Sequence, residues 1–484
     1  MSISGALSNA LSGLTAASRS AEIVSENVAN ALTEGYGRRK IELAAQALGG
    51  NGAGVTVNGV VRQVNEPVIA ERRLADAALG NADTTATFFG DLQRALGLPD
   101  DPASITGRID KLEASLIEAA SRPDSQARLQ ASVTAAKGLA GKINAASREI
   151  QDLRLSADRQ ISGLVDTLNT GLTRIEDLNH QIRIQLGSGS NAAALMDRRQ
   201  QEIDRIAEIV PLKQVPREGG QVALYTNGGA ILLDGHAATV GFVPVNTMVP
   251  QMTIGSGALS GISLNGVAVP EGAGGPLSGG RLSALFELRD GSAVEAQARL
   301  DAVARDLVER FADPTVDPTL APGAPGLFTD AGAAFNAANE TGLSGRISVS
   351  AIVDPALGGT LWHLRDGLGA STMGDVGNGS LLSALAGAIQ KPRAPVSGGF
   401  SGAVKSASGL AGEMVSITNA AARNADSELA FAQASHDALK SSELASGVDT
   451  DQEMQQLLLV EQAYSANARV ISTVDDMIKT LLGL

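Results

Sequence analysis

Cysteine is absent from the 484 residues, which removes disulfides, thiol nucleophiles and thiolate metal sites together. Aromatic residues make up only 3%, too few for one large aromatic-rich core or for the basic, aromatic-studded stripes that grip nucleic acid. Basic residues are short as well: 38 Lys and Arg against 52 Asp and Glu leave a formal net charge of −14, which repels phosphate backbones and anionic lipid. Nucleic acid and membrane are not expected partners. No run approaches the ~18 apolar residues of a spanning helix. The opening "MSISGALSNALSGL" lacks the basic n-region and continuous apolar core of a secretory signal, so neither a cleaved signal nor a membrane segment is expected.

Gly, Ala, Ser and Leu are abundant and 44% of residues are hydrophobic. Such a composition favours long helices packed closely through small residues, and the length suggests about two to four domains. From Ile3, apolar or small residues recur at Leu7, Ala10, Leu14, Ala17, Ala21, Val24 and Val28, in alternating steps of four and three. That is a heptad stripe, and its helix spans roughly 40 Å at ~1.5 Å per residue. The Gly-rich stretch to residue 65, with short runs such as "VTVNGVV", offers this helix nothing to bury against. A second stripe ends the chain: Leu457, Val460, Tyr464, Asn467, Ile471, Val474, Ile478 and Leu481. Thr450 followed by Glu453 predicts a capping box at its start.

Between these stripes, helix is expected over 66–98, broken at "LPDDPAS", then over about 124–186 to "GSGS", then through "NAAALMDRRQQEIDRIAEIV" to Pro211. Residues 211–280 change character. Asn227-Gly228 and Asn265-Gly266 each separate two β-prone runs, a hairpin signal. Helix resumes at "GGRLSALFELRD" and continues to about 311. A Pro-rich loop, the strand-like "RISVSAIV" and a Gly-rich stretch over 366–402 follow, before helix from about 413 to the end with an interruption near "SGVDT". The expected fold class is mainly α with a small β insertion: terminal coiled-coil helices, a long-helix bundle in the middle and an outer β-hairpin domain. Its bounds are 1–65, 66–210, 211–280, 281–440 and 441–484.

A search for chemistry returns little. His180, His236, His363 and His436 sit in unrelated contexts without metal-ligand spacing. "GSGS" and "GAGG" lack the strand-to-helix setting and Gly-Lys-Ser/Thr ending of a phosphate loop. Asp197, Glu202 and Asp204 interleave with Arg198, Arg199 and Arg205, as exposed ion pairs on a helix do. No nucleophile, base and oxyanion-donor set forms. No catalytic residue, cofactor or metal is expected. The two stripes have a plain reading as outer helices of a monomeric bundle. Each buried Leu contributes ~1.5–3 kcal/mol, however, and one pair of narrow, Ala-rich helices cannot cover both of its sides. Association between chains is the favoured reading, with Leu7, Leu14, Val24, Val28 and the C-terminal stripe at subunit interfaces.

The segment "NVANALTEGYGRRK" resembles the N-terminal signature of bacterial flagellar rod, hook and hook-associated axial proteins, an Asn-rich helix end followed by Thr-x-Gly-Tyr and a basic residue. Asn27, Asn30, Thr33, Gly35, Tyr36 and Arg38 match it, while Leu32 and Glu34 stand where Asn and Pro are usual. "GVDTDQEMQQLLLVEQAYSANARVISTVDDMIKTLLGL" is similar to the same family's C-termini over its whole length. "ALMDRRQQEIDRIAEIVPLK" followed by "GGQVALYTNGGAILLDG" is similar to the middle of the member that joins hook to filament. The resemblance implies a non-enzymatic structural subunit, exported by the flagellar type III apparatus without a cleaved signal. It would be located outside the cell in a junction ring of about eleven copies. Hook protein and the second junction protein would be its axial neighbours. A cytoplasmic chaperone would hold the C-terminal helix before export. In this setting Gly35 takes the angles of a helix-ending turn, Tyr36 buries its ring, and Arg38, Arg39 and Lys40 face acidic neighbours. The alternatives are another axial protein, a hook or rod subunit, and a secreted coiled-coil adhesin or enzyme.

Overall fold

The computed structural model describes residues 3–48, 51–98, 101–272 and 274–483. Pro99 and Asp100 of the expected break, Ala273 of "GAGG", and Met1, Ser2 and Leu484 lie outside the described residues. So do Gly49 and Gly50 of the Gly-rich stretch. The chain opens with helix α1 (Ile3–Ala29), then strands β1 (Arg38–Leu48) and β2 (Asn51–Gln63). The strands pair antiparallel with irregularities at Glu42/Leu43 and Ala45/Ala47. This long hairpin packs on α1, so the first helix does have a surface beside it, contrary to the sequence reading. The alternating apolar residues of "VTVNGVV" are spread too thinly among glycines to announce a strand of this length.

Helix α2 (Glu66–Leu96) starts at Asn65, whose side chain accepts from Val68 N, with Pro67 in the first turn. Proline fits there because the first helical amides have no intrahelical acceptor. Helix α3 (Ile105–Ser121), capped by Ser104, lies in a stretch for which the sequence signalled only a break. Helix α4 (Gln126–Gly187) is 62 residues long, about 93 Å at ~1.5 Å per residue. α5 (Ala193–Ala207) follows.

α4 is the spine on which two cores are built. Its first half, with Val133, Leu139, Ile143 and Ile150 sealed from solvent, packs with α3 and later elements in one cluster. Its second half, through Ile161, Leu168, Leu172 and Ile175, packs with α5 and the β insertion in another. That insertion holds an antiparallel sheet of β3 (Leu212–Pro216), β4 (Val222–Thr226), β5 (Ile231–Asp234) and β6 (His236–Ala237). A smaller sheet of β7 (Val240–Gly241), β8 (Ile262–Leu264) and β9 (Val267–Val269) completes it. Asn265, at φ 52, turns the β8–β9 hairpin, as the Asn-Gly signal requires.

α6 (Arg281–Glu287) and α7 (Ala293–Phe311) are joined by a π-helical turn at Leu288–Ser292. The turn carries Arg289, fully buried, whose guanidinium meets buried Asp158 of α4 at 2.6 Å. β10 (Phe328–Asp330), α8 (Leu343–Arg346), β11 (Ile347–Val349) and α9 (Trp362–Asp366) complete the first core with α10 (Ser380–Gln390). Only Ile347–Val349 of "RISVSAIV" is a strand, and the Gly-rich 366–402 stretch conceals α10, whose Leu382, Leu385 and Ile389 are fully buried. α11 (Ala407–Ala445) pairs with α2, and α12 (Thr450–Leu482) pairs with α1. The break near "SGVDT" lies between these last two helices.

The capping box is not formed. Asp449 is the cap, its Oδ1 accepting from Asp451 N at 2.9 Å and Gln452 N at 3.1 Å. A carboxylate cap meets the positive end of the helix directly, which frees Glu453 to bond elsewhere.

Candidate assembly interface at the chain termini

α1 carries two parallel heptad rows. The row at Ala6, Ala10, Gly13, Ala17, Ser20, Val24 and Asn27 faces inward, and most of its residues are small. A Cβ added at Gly13 would sit 2.7 Å from the Asn467 amide of α12, so the helices approach closely where no side chain intervenes. One position further round, Leu7, Leu11, Leu14, Ser18, Ala21, Ser25 and Val28 form a second row. The leucines are here: Leu11 is 57% exposed, Leu7 and Val28 are exposed as well, and Leu14 is half-buried. Over its first half the helix buries Ala10, Ala16 and Ala17 and exposes Leu7 and Leu11, which inverts the usual amphipathic arrangement.

α12 also carries two rows, but its inward one holds large side chains. Val460 and Val474 are buried against α1, with Leu457, Asn467, Ile471 and Ile478 half-buried around them. A second row, one residue earlier each time, runs through Leu459, Ala463, Ala466, Val470, Thr473, Met477 and Thr480. Leu459 is 59% exposed, and Leu481 at the helix end 74%. The single stripes read from sequence therefore mix two environments. Val24, Val460 and Val474 bury within the chain, while Leu7, Val28, Tyr464 and Leu481 are exposed.

The pair closes on a polar hub at its base. Asn27, 1% exposed, uses both ends of its amide. Oδ1 accepts from Tyr36 Oη and Arg39 N, each at 2.9 Å, and Nδ2 donates to Arg39 O at 2.9 Å and Glu453 Oε2 at 3.1 Å. Glu453, 2% exposed, also accepts from Arg38 Nε at 2.7 Å. Burying a carboxylate is tolerable only when it is paired in this way. Gly35 makes the turn possible at φ +74, a left-handed conformation costly to other residues. Thr33 Oγ1 reaches Asn30 Oδ1 at 3.3 Å inside the same turn. Burial and the carboxylates of Asp197 and Glu453 push the half-buried Tyr36 hydroxyl up to about 12.

Residues 90–314 match the family model for the flagellar hook-associated protein FlgK helical domain. Residues 443–484 match that for the flagellar basal body rod FlgEFG protein C-terminal region, and 7–36 that for the flagella basal body rod protein. All three models are of flagellar axial proteins, and the longest match is to the FlgK type. Flagellar hook-associated protein 1 of Salmonella typhimurium is 26% identical over 285 residues, covering 54% of this chain and 51% of that one. The Bacillus subtilis protein of the same name is 24% identical over 512 residues, covering 98% and 97%. The chain thus spans about half the length of the Salmonella relative and nearly all of the Bacillus one. The structure of the flagellar hook junction protein FlgK from Burkholderia pseudomallei aligns at TM-score 0.44 and 21% identity, over 54% of this chain and 46% of that one.

The "MDRRQQEID" helix, which lies within the FlgK-type match, is not an array of exposed ion pairs. Asp197 is buried and takes Gly37 N at 3.0 Å, Arg62 Nε at 2.7 Å and Arg39 Nη2 at 3.3 Å. It thereby fastens the motif turn and the hairpin base to α5. Arg39 also pairs with Glu26 and lies over the Tyr36 ring, 5.0 Å from its centroid. Buried Arg199 donates to Asn179 Oδ1 at 2.8 Å and Gly220 O at 2.7 Å. Asp204 receives Arg73 at 2.6 Å and Arg72 at 2.8 Å, and Arg72 reaches on to Glu443 of α11 at 2.7 Å. Only Glu202–Arg205, at 3.0 Å with the arginine exposed, behaves as expected. Arg38 and Arg39 meet their acidic partners inside the chain; Lys40 is exposed. Sequence reasoning missed this joint because its partners come from four separate segments. The one available signal was the excess of Arg and Asp at 36–40, 62, 72–73 and 197–205.

The histidines make ordinary contacts. His236 meets Glu176 at 3.1 Å, His363 stacks on Trp362, and His436 lies between Asp76 and Asp437. Among the described residues no group of three or more His, Asp or Glu could hold a metal ion. None of the described helices is long and apolar enough to cross a membrane.

Proposed function

We propose that this chain is a structural subunit of the bacterial flagellum, forming the junction that connects hook to filament and supports filament assembly. The observation that carries this reading is the partial inversion of α1, which exposes Leu7, Leu11 and Val28 while burying Ala10, Ala16, Ala17 and Ser20. Exposed apolar rows on both terminal helices are costly in water and become favourable only when neighbouring copies cover them. Leu7, Leu14 and Val28 of α1, with Tyr464 and Leu481 of α12, would meet those neighbours. Val24, Leu457, Val460, Asn467, Ile471, Val474 and Ile478 would act indirectly, by holding the pair together.

The names of the relatives support the flagellar setting and a non-catalytic role. Within it we place the chain in a ring of about eleven copies, with hook protein and the second junction protein as axial neighbours, outside the cell after export without signal cleavage. A cytoplasmic chaperone holding α12 before export suits the exposed apolar row there. Electron microscopy of a strain lacking the chain tests the reading. Hooks without filaments, and filament protein lost to the medium, are expected. Normal filaments would refute the junction role.

A further inference from the structure

Two contacts fix how α1 lies on α12: Gly13 abuts Asn467, and Asn27 bonds Glu453. Fourteen residues separate Gly13 from Asn27, and fourteen separate Glu453 from Asn467, in opposite senses. The helices therefore run antiparallel, with two heptads between the contacts. The same spacing sets Ser20 against Val460 and Ala6 against Val474; Ser20, Val460 and Val474 are buried.

The apolar part of this seam is nearly blind to register. Along its α1 side Ala6, Ala10, Gly13, Ala17 and Ser20 are small and Val24 is the larger apolar member of the row, so sliding α12 by one heptad exchanges one small residue for another beneath most of the larger side chains. Asn467 discriminates by shape alone: its Nδ2 is satisfied on its own helix by Ala463 O at 2.9 Å, and facing Ala6 or Ser20 in place of Gly13 would require its side-chain end to shift. The base of the pair is different. A slide one way sets Glu453 against Ser20, taking it from Asn27 and from Arg38. A slide the other way sets Asn27 against Val460. Either leaves buried polar groups without partners, which is what makes a register unfavourable.

We propose that Asn27, Glu453 and Arg38 form a register lock, specifying which heptad of α12 faces which heptad of α1. The lock therefore also sets how the two outward apolar rows line up with each other. That consequence for assembly rests on the junction reading, but the lock itself is a property of one chain.

The absence of cysteine makes the register directly readable in the full chain. Ala10→Cys with Ile471→Cys reports the native register. Ala17→Cys with Ile471→Cys, and Ala10→Cys with Tyr464→Cys, report slides of one heptad in either direction. Oxidation is followed as intrachain, monomer-sized species on a non-reducing gel. Only the native pair should close in the unaltered background. In the double variant Asn27→Leu and Glu453→Leu, where no carboxylate is left buried and the half-exposed Arg38 can turn to water, the slipped pairs should rise relative to the native one by roughly tenfold or more. Glu453→Gln keeps a carbonyl oxygen for Asn27 and should retain native selectivity. Unchanged selectivity in the double variant overturns the lock. So does loss of all three disulfides, because these residues would then be needed for pairing as such and not for its register. Either result leaves the junction reading standing, since that is decided by filament attachment.

Discussion

Asn27 and Glu453 share a 3.1 Å hydrogen bond across 426 positions of sequence, joining the first helix to the last at a point sealed from solvent. The bond sits where α1 ends, α12 begins and the β1–β2 hairpin departs, so one amide and one carboxylate bring three elements together. Below it Asp197 ties that junction to α5, and through α5 to the long-helix body. The terminal pair is therefore held to the rest of the chain by charged and polar contacts.

This arrangement predicts that Asp197→Ala is severe. It leaves Arg39 and Arg62 without their shared carboxylate, and breaking one side of a buried ion pair costs about 3–5 kcal/mol. The body should remain folded while the hairpin base loosens. Hydrogen exchange should show protection lost over residues 36–63, with α4 unaffected. Uniform loss of protection would show that the joint belongs to one cooperative unit with the body.

Tyr36 gives the joint a pH signature. Its hydroxyl is pushed up to about 12 by burial, Asp197 and Glu453, whereas the unfolded chain ionises near the ordinary value of about 10. Above that value the unfolded state has lost a proton that the folded state retains, so stability falls as pH rises. The contribution is fully present below about 10 and lost as pH climbs through the folded value. Denaturation midpoints at pH 9 and pH 11 should fall further apart in the parent chain than in Tyr36→Phe. Equal differences would show that Tyr36 does not feel the joint.

The β insertion invites a different test. Local hairpins flanked by helix suggest a detachable decoration, yet Val222, Leu224, Leu232, Leu233, Val240 and Ile262 share a core with Ile161, Leu168, Leu172 and Ile175 of α4. Buried Arg154 adds hydrogen bonds to Val249 O and Met252 O of the insertion. Replacing residues 216–276 with a short Gly-Ser bridge should therefore strip α4 of cover worth ~1.5–3 kcal/mol per large side chain. The shortened chain is expected to aggregate or melt without cooperativity, as read by calorimetry and light scattering. A soluble product with a sharp transition would show that the second half of α4 stands unaided.

Some of this was legible in the sequence, for reasons that particular residues make plain. The terminal heptads show because a period near 3.5 writes itself along one helix, and Asn265-Gly266 shows because a tight hairpin needs those backbone angles locally. α10 was hidden because its leucines sit within a glycine-rich stretch. The Asp197 joint could not be read, since nothing in "MDRRQQEID" says that Arg39 and Arg62 will arrive there. The two rows of α1 were blurred into one stripe because Leu7 and Ala10 fit the same heptad, and only the facing helix decides which of them is inside.

That division into rows supplies the sharpest comparison. On the stripe alone, Ile471→Asp should block assembly without disturbing the single chain. Ile471 is half-buried on the side of α12 that faces α1, so its carboxylate should loosen the pair within one molecule. Val470, its exposed neighbour, lies on the outward row, as does Leu11 on α1. Leu11→Asp and Val470→Asp should shift the single chain's stability by no more than about 0.5 kcal/mol, the range of surface substitutions. Set between neighbouring copies, the same charge would be unpaired in an apolar seam at a cost of several kcal/mol, so cells carrying either variant should show bare hooks. Gly13→Leu and Ile471→Asp should instead lower protection of α1 and α12 in the isolated protein. Exposed Gln456→Asp is the control and should be neutral in both assays. Normal filaments from Leu11→Asp and Val470→Asp would mean that the outward apolar residues meet no partner, and the exposed rows would then need another explanation.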